Sequence, residues 1–507
     1  MSLASASSPS VSLERGNYRM RAPRPRPPPF VLPDKGPPIV QHRVNRNLAL
    51  LLLALALACM SCFASAYYLF ATRWDFHPAS LPYPLANPTS KANVSDTARQ
   101  PEKYLAYLPH SGFHNQRIAF ENALVLSRIL RRTLLVPPIR LGNRPIRYVE
   151  FHTLSRHHEL SGKEGLSHCP RVPVYLSRPP ECLQYFESSY APWDWLVDLS
   201  PVIAKQSLFL RPNMSLAWVR AKFNLELSDM YTLADDSPYS FRFLDTPEDG
   251  TSSNAKYLKN INIADLAAVN QSFLQLGTLF GTSRLRLRNP DNMVIHQSIR
   301  RSMILINSDL TRAADRIALS FKHTYLGLHL RLGDGPFQQK VQNTTKTTWW
   351  KVLKICELER NLLIYPTTPT CSDPVSQVPL EVPVLPNLFN GKCRFQRHTG
   401  ERYQSLNIPL YIATDLKGVE VNPFLSIFPK TFPCVFFLQD FLPEIAPLER
   451  IKSPYDDVNL MPFLLPFVDS LVAGKAMGFV GTEGSTFSKF VNEILWASSH
   501  TNRIQVV

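Results

Sequence analysis

Hydrophobic and polar positions alternate most strictly at Tyr325–Phe337, "YLGLHLRLGDGPF". Leu326, Leu328, Leu330 and Leu332 fall on one side of a strand, with Gly327, His329, Arg331 and Gly333 on the other. The run ends in Gly333-Asp334-Gly335-Pro336, a turn by composition. Upstream, Tyr104–Leu108 reads as a short strand, Pro109–Arg117 ("PHSGFHNQR") as a loop, and the residues up to about Arg132 as a helix. A second strand, "TLLVPP", closes at Pro137 and Pro138, so a βαβ unit is expected within ~35 residues. Between 150 and 320, helical patterns are expected around 195–206, 215–224, 255–280 and at Met303–His323. Beyond the alternating strand, "TTKTTWWKVLKICELERNLL" reads as a helix, and Ile408–Leu416 and Cys434–Leu438 as strands. A helix at Pro462–Met477 leads into the strand "GFVGT". After Glu483-Gly484 a last helix starts at Ser485, with its apolar stripe at Phe487, Phe490, Val491, Ile494 and Leu495. These patterns predict an α/β protein with two sheet regions.

At 507 residues the chain exceeds one compact core, so two domains with appendages are expected, at 104–320 and 321–500. Residues 1–47 are Ser-, Pro- and Arg-rich with a net charge of +6, and read as a disordered basic tail on the cytosolic side. Leu48–Ala71 holds 24 uncharged residues, about 36 Å as a helix and enough for the ~30 Å of a bilayer's hydrocarbon. Arg43 and Arg46 precede it, and Tyr67, Tyr68 and Trp74 mark its far end, which predicts a type II signal anchor with the rest of the chain lumenal. Ala64-Ser65-Ala66 offers a signal-cleavage site instead, but a 47-residue leader is too long for an ordinary signal peptide. Residues 72–103 read as a Pro-containing stem, and 364–406 as a Pro-rich insertion that Cys371 and Cys393 can staple.

Cys169, Cys182, Cys356, Cys371, Cys393 and Cys434 form an even set that allows up to three disulfides, Cys169–Cys182 being the easiest local pair. No CxxC spacing occurs among these six, which argues against zinc. Asn93, Asn213, Asn270 and Asn343 head glycosylation sequons. The full chain carries +15, but beyond the tail no Lys/Arg cluster of the kind that binds nucleic acid is present. The remaining excess suits an anionic small molecule. GxxxxGK[ST] and GxGxxG are both absent, which excludes the usual ATPase and nicotinamide readings.

Three strand-to-loop junctions carry candidate chemistry, since ligands in open α/β sheets lie beyond the carboxyl ends of strands. The first holds Gly112, Asn115 and Arg117, where Gly112 allows close backbone approach and Asn115 can cap the helix. The second holds His329 and Arg331. An inward guanidinium asks for an anion, either a ligand or a neighbouring carboxylate. The third, Thr482–Ser488, feeds a Gly turn into a helix start, with Ser485 and Thr486 beside its free amides; that is a phosphate seat, or plain Ser capping.

"HSGFHNQR", "HLRLGD" and "FVGTEGSTFS", together with "YIATD", resemble the GDP-fucose protein O-fucosyltransferase family, most nearly its divergent fungal and plant-like members, over roughly residues 104–495. The resemblance implies a GT-B fold, with two Rossmann-like domains facing a cleft, and an inverting, metal-independent fucosyltransferase of the Golgi or endoplasmic reticulum. Its donor would be GDP-fucose and its acceptor a protein or glycoprotein hydroxyl, with no cofactor. It further implies that Arg331 contacts the donor diphosphate, His329 the nucleotide, Asp415 the guanine, Ser485, Thr486 and Phe487 the diphosphate and nucleoside, and Gly112, Asn115 and Arg117 the cleft. Some members carry a Glu as base where this chain has Ser111, preceded by His110. Either His110 serves as base or the donor phosphate assists. Another GDP-sugar, a glycan acceptor, or a lumenal nucleotide-sugar-binding protein without activity are the alternatives.

Overall fold

The computed structural model describes residues 46–73, 102–143, 145–163, 165–173, 175–246, 256–333, 335–363 and 393–500. Most of the expected tail and stem, and 364–392 of the Pro-rich insertion with Cys371, lie outside them. The chain divides into two compact units, 1–76 and 77–507. In the first unit, α1 (Arg46–Arg73) is a 28-residue helix over the uncharged run. Its described side chains, 50–65 and 67, are exposed. Among the described residues no helix is long and apolar enough to cross a membrane, so the anchor stands as a proposal.

Two larger parallel sheets organise the second unit, beside a three-stranded parallel and a two-stranded antiparallel one. β1 (Tyr104–Ala106), β2 (Thr133–Val136), β3 (Leu208–Leu210), β4 (Met230–Leu233) and β5 (Phe273–Leu276) lie in the order β3-β2-β1-β5-β4. Helix α2 (Phe113–Ile129) joins β1 to β2, completing the expected βαβ unit. β6 (Leu326–Leu330), β7 (Leu410–Thr414), β8 (Val435–Phe436) and β9 (Gly478–Gly481) lie in the order β8-β7-β6-β9. Helices α3 (Ser308–Ser320) and α4 (Met461–Gly474) pack together against this second sheet.

The alternation in β6 has a two-sided cause. All five of its residues are buried, as expected of a parallel strand covered on both faces. The leucine face packs with Trp349, Val352, Leu410 and Ile412. On the other face α4 comes so close that a Cβ on Gly327 would lie 2.6 Å from the Ala473 carbonyl oxygen. Glycine is what lets the helix sit there.

Two expectations change. The helix expected over 255–280 is instead a strand at Lys259–Asn262, a short helix at Ile263–Ala267, and β5. β5 is buried along its length between β1 and β4, and a short apolar run of that kind has no periodicity to separate strand from helix. The loop expected over Pro109–Arg117 ends early, because α2 already starts at Phe113, and α3, which ends at the expected boundary of 320, packs on α4. One continuous apolar core runs from Leu105 and Leu274 through Phe467 and Phe490, so the halves share their interior.

Cys169 and Cys182 are bonded, and Cys393 is bonded to Cys434 beside β8, tying the end of the insertion to the sheet. His168, Cys169 and Cys182 bring three metal-type ligand atoms together, but their two sulfurs are joined to each other and offer no open ligand set.

Candidate functional site

Each sheet reverses its strand order beside the strand the chain enters first: between β1 and β5, and between β6 and β9. The crevice outside the carboxyl ends at such a reversal is where open parallel sheets bind ligands. All three sequence blocks lie at these two places.

At the second reversal the strand ends are bolted by Thr482, a residue the sequence did not single out. Its hydroxyl donates to the His329 carbonyl (3.0 Å) and accepts from the Arg331 N–H (3.0 Å). Its own N–H reaches Ser488 Oγ at 2.9 Å. Arg331 is therefore fixed at the backbone while its side chain stays 33% exposed. The guanidinium Nε lies 3.2 Å from Asp415 Oδ2. Asp415 Oδ1 accepts from the N–H groups of Leu332 (2.8 Å) and Gly333 (3.0 Å). Asp415, expected at the guanine, thus organises the turn after β6 and orients Arg331. A Cβ on Gly333 would sit 3.0 Å from that carboxylate.

Facing Arg331's strand, Gly484 takes φ +77°, with nothing within 4 Å of where a Cβ would be. Ser485 caps α5 (Thr486–Phe490), its hydroxyl accepting from the Ser488 N–H at 3.3 Å. Thr486 is half-buried beside it. Phe487 lies between two imidazoles, stacked on His329 (4.1 Å, 19°) and meeting His114 edge-on (4.9 Å). One residue from each block meets at this ring.

His329 lies behind Phe487 rather than on the crevice wall. Its Nδ1 is 2.7 Å from Ser488 Oγ. That hydroxyl already accepts from the Thr482 N–H, which leaves its own proton for the imidazole. Burial, reinforced by Arg331, lowers the His329 pKa to about 3, so the ring is neutral.

The first reversal is more closed. His110 is 4% exposed, with Nδ1 at 2.7 Å from Ser111 Oγ and Nε2 at 2.7 Å from Thr278 Oγ1. Burial, with Arg284 adding to it, lowers its pKa to about 4. A base whose two nitrogens are both engaged and whose affinity for a proton is this low is poorly placed to take one from an acceptor. The Thr278 N–H donates to Asp235 Oδ2 at 2.8 Å, and burial raises that buried carboxyl to about 6.

Gly112 is the N-cap of α2, with open space around it and no side-chain cap. Asn115, expected as the cap, lies in the first turn instead, half-buried. Gln116, also missed, ties the turn to the strand Ile139–Gly142 by donating to Ser111 O and Arg140 O and accepting from the Arg140 N–H. Arg117, expected on the cleft, is 2% exposed, paired with Glu121 and set over the Phe490 ring at 4.9 Å. Burial works against both charges of that pair, and each ion offsets the other's cost. A cavity opens beside His110 and Ser111, and Arg331 is not on its wall.

No family model matches the chain. A 38-residue stretch is 58% identical to O-fucosyltransferase 30 of Arabidopsis thaliana, covering 8% of this chain and 8% of that protein, and supports a relationship to O-fucosyltransferases. The chain thus matches far less than two thirds of that relative's length. Solved structures of POFUT1 in complex with GDP-fucose and in the apo form are 13% and 14% identical to it. They cover 77% and 80% of this chain and 94% and 98% of their own, each with a TM-score of 0.32.

Proposed function

We propose that the chain is an inverting glycosyltransferase that moves fucose from GDP-fucose to a hydroxyl of a protein or glycoprotein acceptor. The observation that carries this reading is the meeting of the second and third blocks at the β6/β9 reversal, with His114 of the first block against Phe487. There an oriented guanidinium stands across from a Gly-opened loop and the start of a helix. The arrangement suits a diphosphate: Arg331 supplies charge and Gly484 and Thr486 supply backbone N–H groups, the Ser485 N–H being turned to the Thr482 carbonyl. The two parallel sheets are those a GT-B reading needs, with the donor on the second. The acceptor hydroxyl would attack the anomeric carbon from the face opposite GDP, through an oxocarbenium-like transition state. The negative charge growing on the departing β-phosphate is what the site must stabilise, and preorganised donors do this at ~3–4 kcal/mol each. The reading calls on no metal or cofactor. With His110 engaged on both nitrogens, the hydroxyl proton would leave late, toward the donor phosphate.

The proposal includes a type II topology in the Golgi or endoplasmic reticulum membrane, through the apolar run of α1. Asn270 and Asn343 are exposed on the second unit and would be glycosylated there. Endoglycosidase treatment that leaves the mobility of the expressed chain unchanged would count against a lumenal location.

The test is thermal denaturation of the full chain with GDP, GDP-fucose, GDP-mannose and UDP-glucose, followed by donor-hydrolysis and transfer assays. A ligand at a hundredfold its Kd adds about 2.7 kcal/mol to the native state. Stabilisation by GDP and GDP-fucose but not by UDP-glucose is expected; no response to any guanine nucleotide refutes the reading. The Arg331–Asp415 pair and the engaged His110 favour a second reading, nucleotide-sugar binding without transfer. Stabilisation with neither hydrolysis nor transfer would select it.

A further inference from the structure

The cavity at the carboxyl edge of the first sheet is built differently from the β6/β9 crevice. Its empty volume is about 680 Å³, a figure that includes the open solvent at its mouth. Pro109, Pro138, Pro212, Tyr190 and Tyr455 give it flat apolar walls. Ser111, Ser161 and Asn213 add polar atoms at the edge.

Arg140 reaches into this space from the strand Ile139–Gly142. Its peptide is clamped on both sides by the buried Gln116, so the backbone beneath the side chain is fixed. Nη1 donates to the Tyr190 hydroxyl at 2.8 Å. Nε is buried with no hydrogen-bond partner, and no carboxylate lies within ion-pair distance of Arg140 among the described residues. Tyr190 in turn is held by Ser161, whose hydroxyl is 3.1 Å away. A half-buried guanidinium so anchored and without an acid partner is a costly arrangement unless an anion completes it.

A second cation reinforces the first. Arg211 is 1% exposed and donates to the carbonyls of Asn213 (3.2 Å) and Met214 (2.6 Å), two residues on the cavity wall. His158, also on the wall, gives a 2.6 Å hydrogen bond to the Pro109 carbonyl. Burial lowers its pKa to about 3, with Arg211 and Arg140 adding to the effect, so it is neutral in a positive surround. The carboxylate on the wall is Glu159, exposed at the rim and on the Arg211 side.

We propose that this cavity is a second ligand site, separate from the nucleotide crevice, that takes a carboxylate-bearing sugar. The carboxylate lies against Arg140 and Tyr190, the C–H faces of the ring lie against the proline and tyrosine walls, and the hydroxyls meet Ser111, Ser161 and Asn213. The proposal stands apart from the GDP-fucose reading, since it concerns the other sheet and is tested without nucleotide.

The experiment is a ligand-observed NMR titration of the full chain with D-glucuronic acid, D-glucose and acetate at constant ionic strength. Glucuronate is expected to bind at least about tenfold more tightly than glucose, which lacks the charge-assisted hydrogen bond to Arg140, and than acetate, which lacks the ring that lies on the walls. Arg140→Gln should lower glucuronate affinity at least about tenfold with an unchanged melting temperature, and Arg140→Lys should fall between it and the parent. Glucuronate binding no better than glucose, binding unchanged in Arg140→Gln, or acetate binding as well as glucuronate would each overturn the proposal. The comparison of the three ligands on the parent chain decides the matter even if Arg140→Gln does not fold.

Discussion

The two sheet ends share a topology and diverge in what their side chains do with it. At the β1/β5 end, both His110 nitrogens are engaged by Ser111 and Thr278, and Asp235 Oδ2 accepts from the Thr278 N–H. At the β6/β9 end, Thr482 and Ser488 do the bonding from the backbone side, and the Arg331 guanidinium stays one-third exposed. The contrast is sharpest between two arginines that the sequence presents alike. Arg117 lies in the core against Glu121, whereas Arg331 stands at a strand end with Asp415 steadying one edge. A strand reversal creates an opening, but the side chains decide whether it is filled from within.

The largest expected effect is on stability at the closed end. Arg117→Met leaves the buried Glu121 with only the longer contact to Arg300 at 3.9 Å and is expected to cost about 3 kcal/mol by denaturant unfolding, and Arg117→Met with Glu121→Leu to recover most of it. Full stability in the single variant would erase the distinction between the two arginines. Next, Arg331→Ala is expected to leave the melting temperature nearly unchanged while removing stabilisation by GDP and lowering transfer by 10²–10³-fold, equivalent to ~3–4 kcal/mol. His110→Asn, at the other end, is expected to keep GDP stabilisation; its loss there would move the nucleotide to the first sheet. Smaller again is the role of Asp415. Asp415→Ala leaves the Leu332 and Gly333 N–H groups unpaired, at about 1–3 kcal/mol, whereas Asp415→Asn keeps an acceptor and costs less. If both variants lose guanine selectivity at full stability, Asp415 contacts the base after all.

A separate test, outside that ranking, is pH dependence. His110, His158 and His329 fold neutral, with pKa values lowered to about 4, 3 and 3. A histidine with a depressed folded pKa contributes stability that is present above its unfolded value near 6.5 and lost as pH falls toward the folded value. Unfolding free energy should therefore fall between pH 6.5 and 4, by at most about 1.4 kcal/mol per pH unit for each ring. Asp235 and Asp469, raised to about 6 and 7, oppose this over the same range by gaining stability as pH falls. Replacing His329 by Asn should flatten the slope, and an unchanged slope would show that the ring is not held neutral.

Local patterns in the chain gave away the elements that carry the site. Alternation located β6, the Gly-Ser turn located the start of α5, and the stretch after Arg117 located the body of α2 but not its first turn, which starts at Phe113. The division of labour among the polar residues was not readable, because it depends on partners far away in the chain. Asp415 lies 83 residues from Leu332, yet its carboxylate shapes that turn. Thr482 bridges β6 and β9 across 151 residues to Arg331, with no local signal beyond its place at a strand end. Arg117 looked like a ligand contact only because nothing in the helix pattern shows which face Phe490 will cover.

The placement of Phe487 has a mechanical consequence. His329 and Phe487 belong to the same half, and only the edge of His114 reaches the ring from the other. Beside it Phe113 meets Phe467 edge-on at 4.6 Å, and edge-to-face pairs hold a preferred orientation. The seam therefore resists sliding as well as separation, and adjustment around a bound molecule falls to the exposed loop at Gly484.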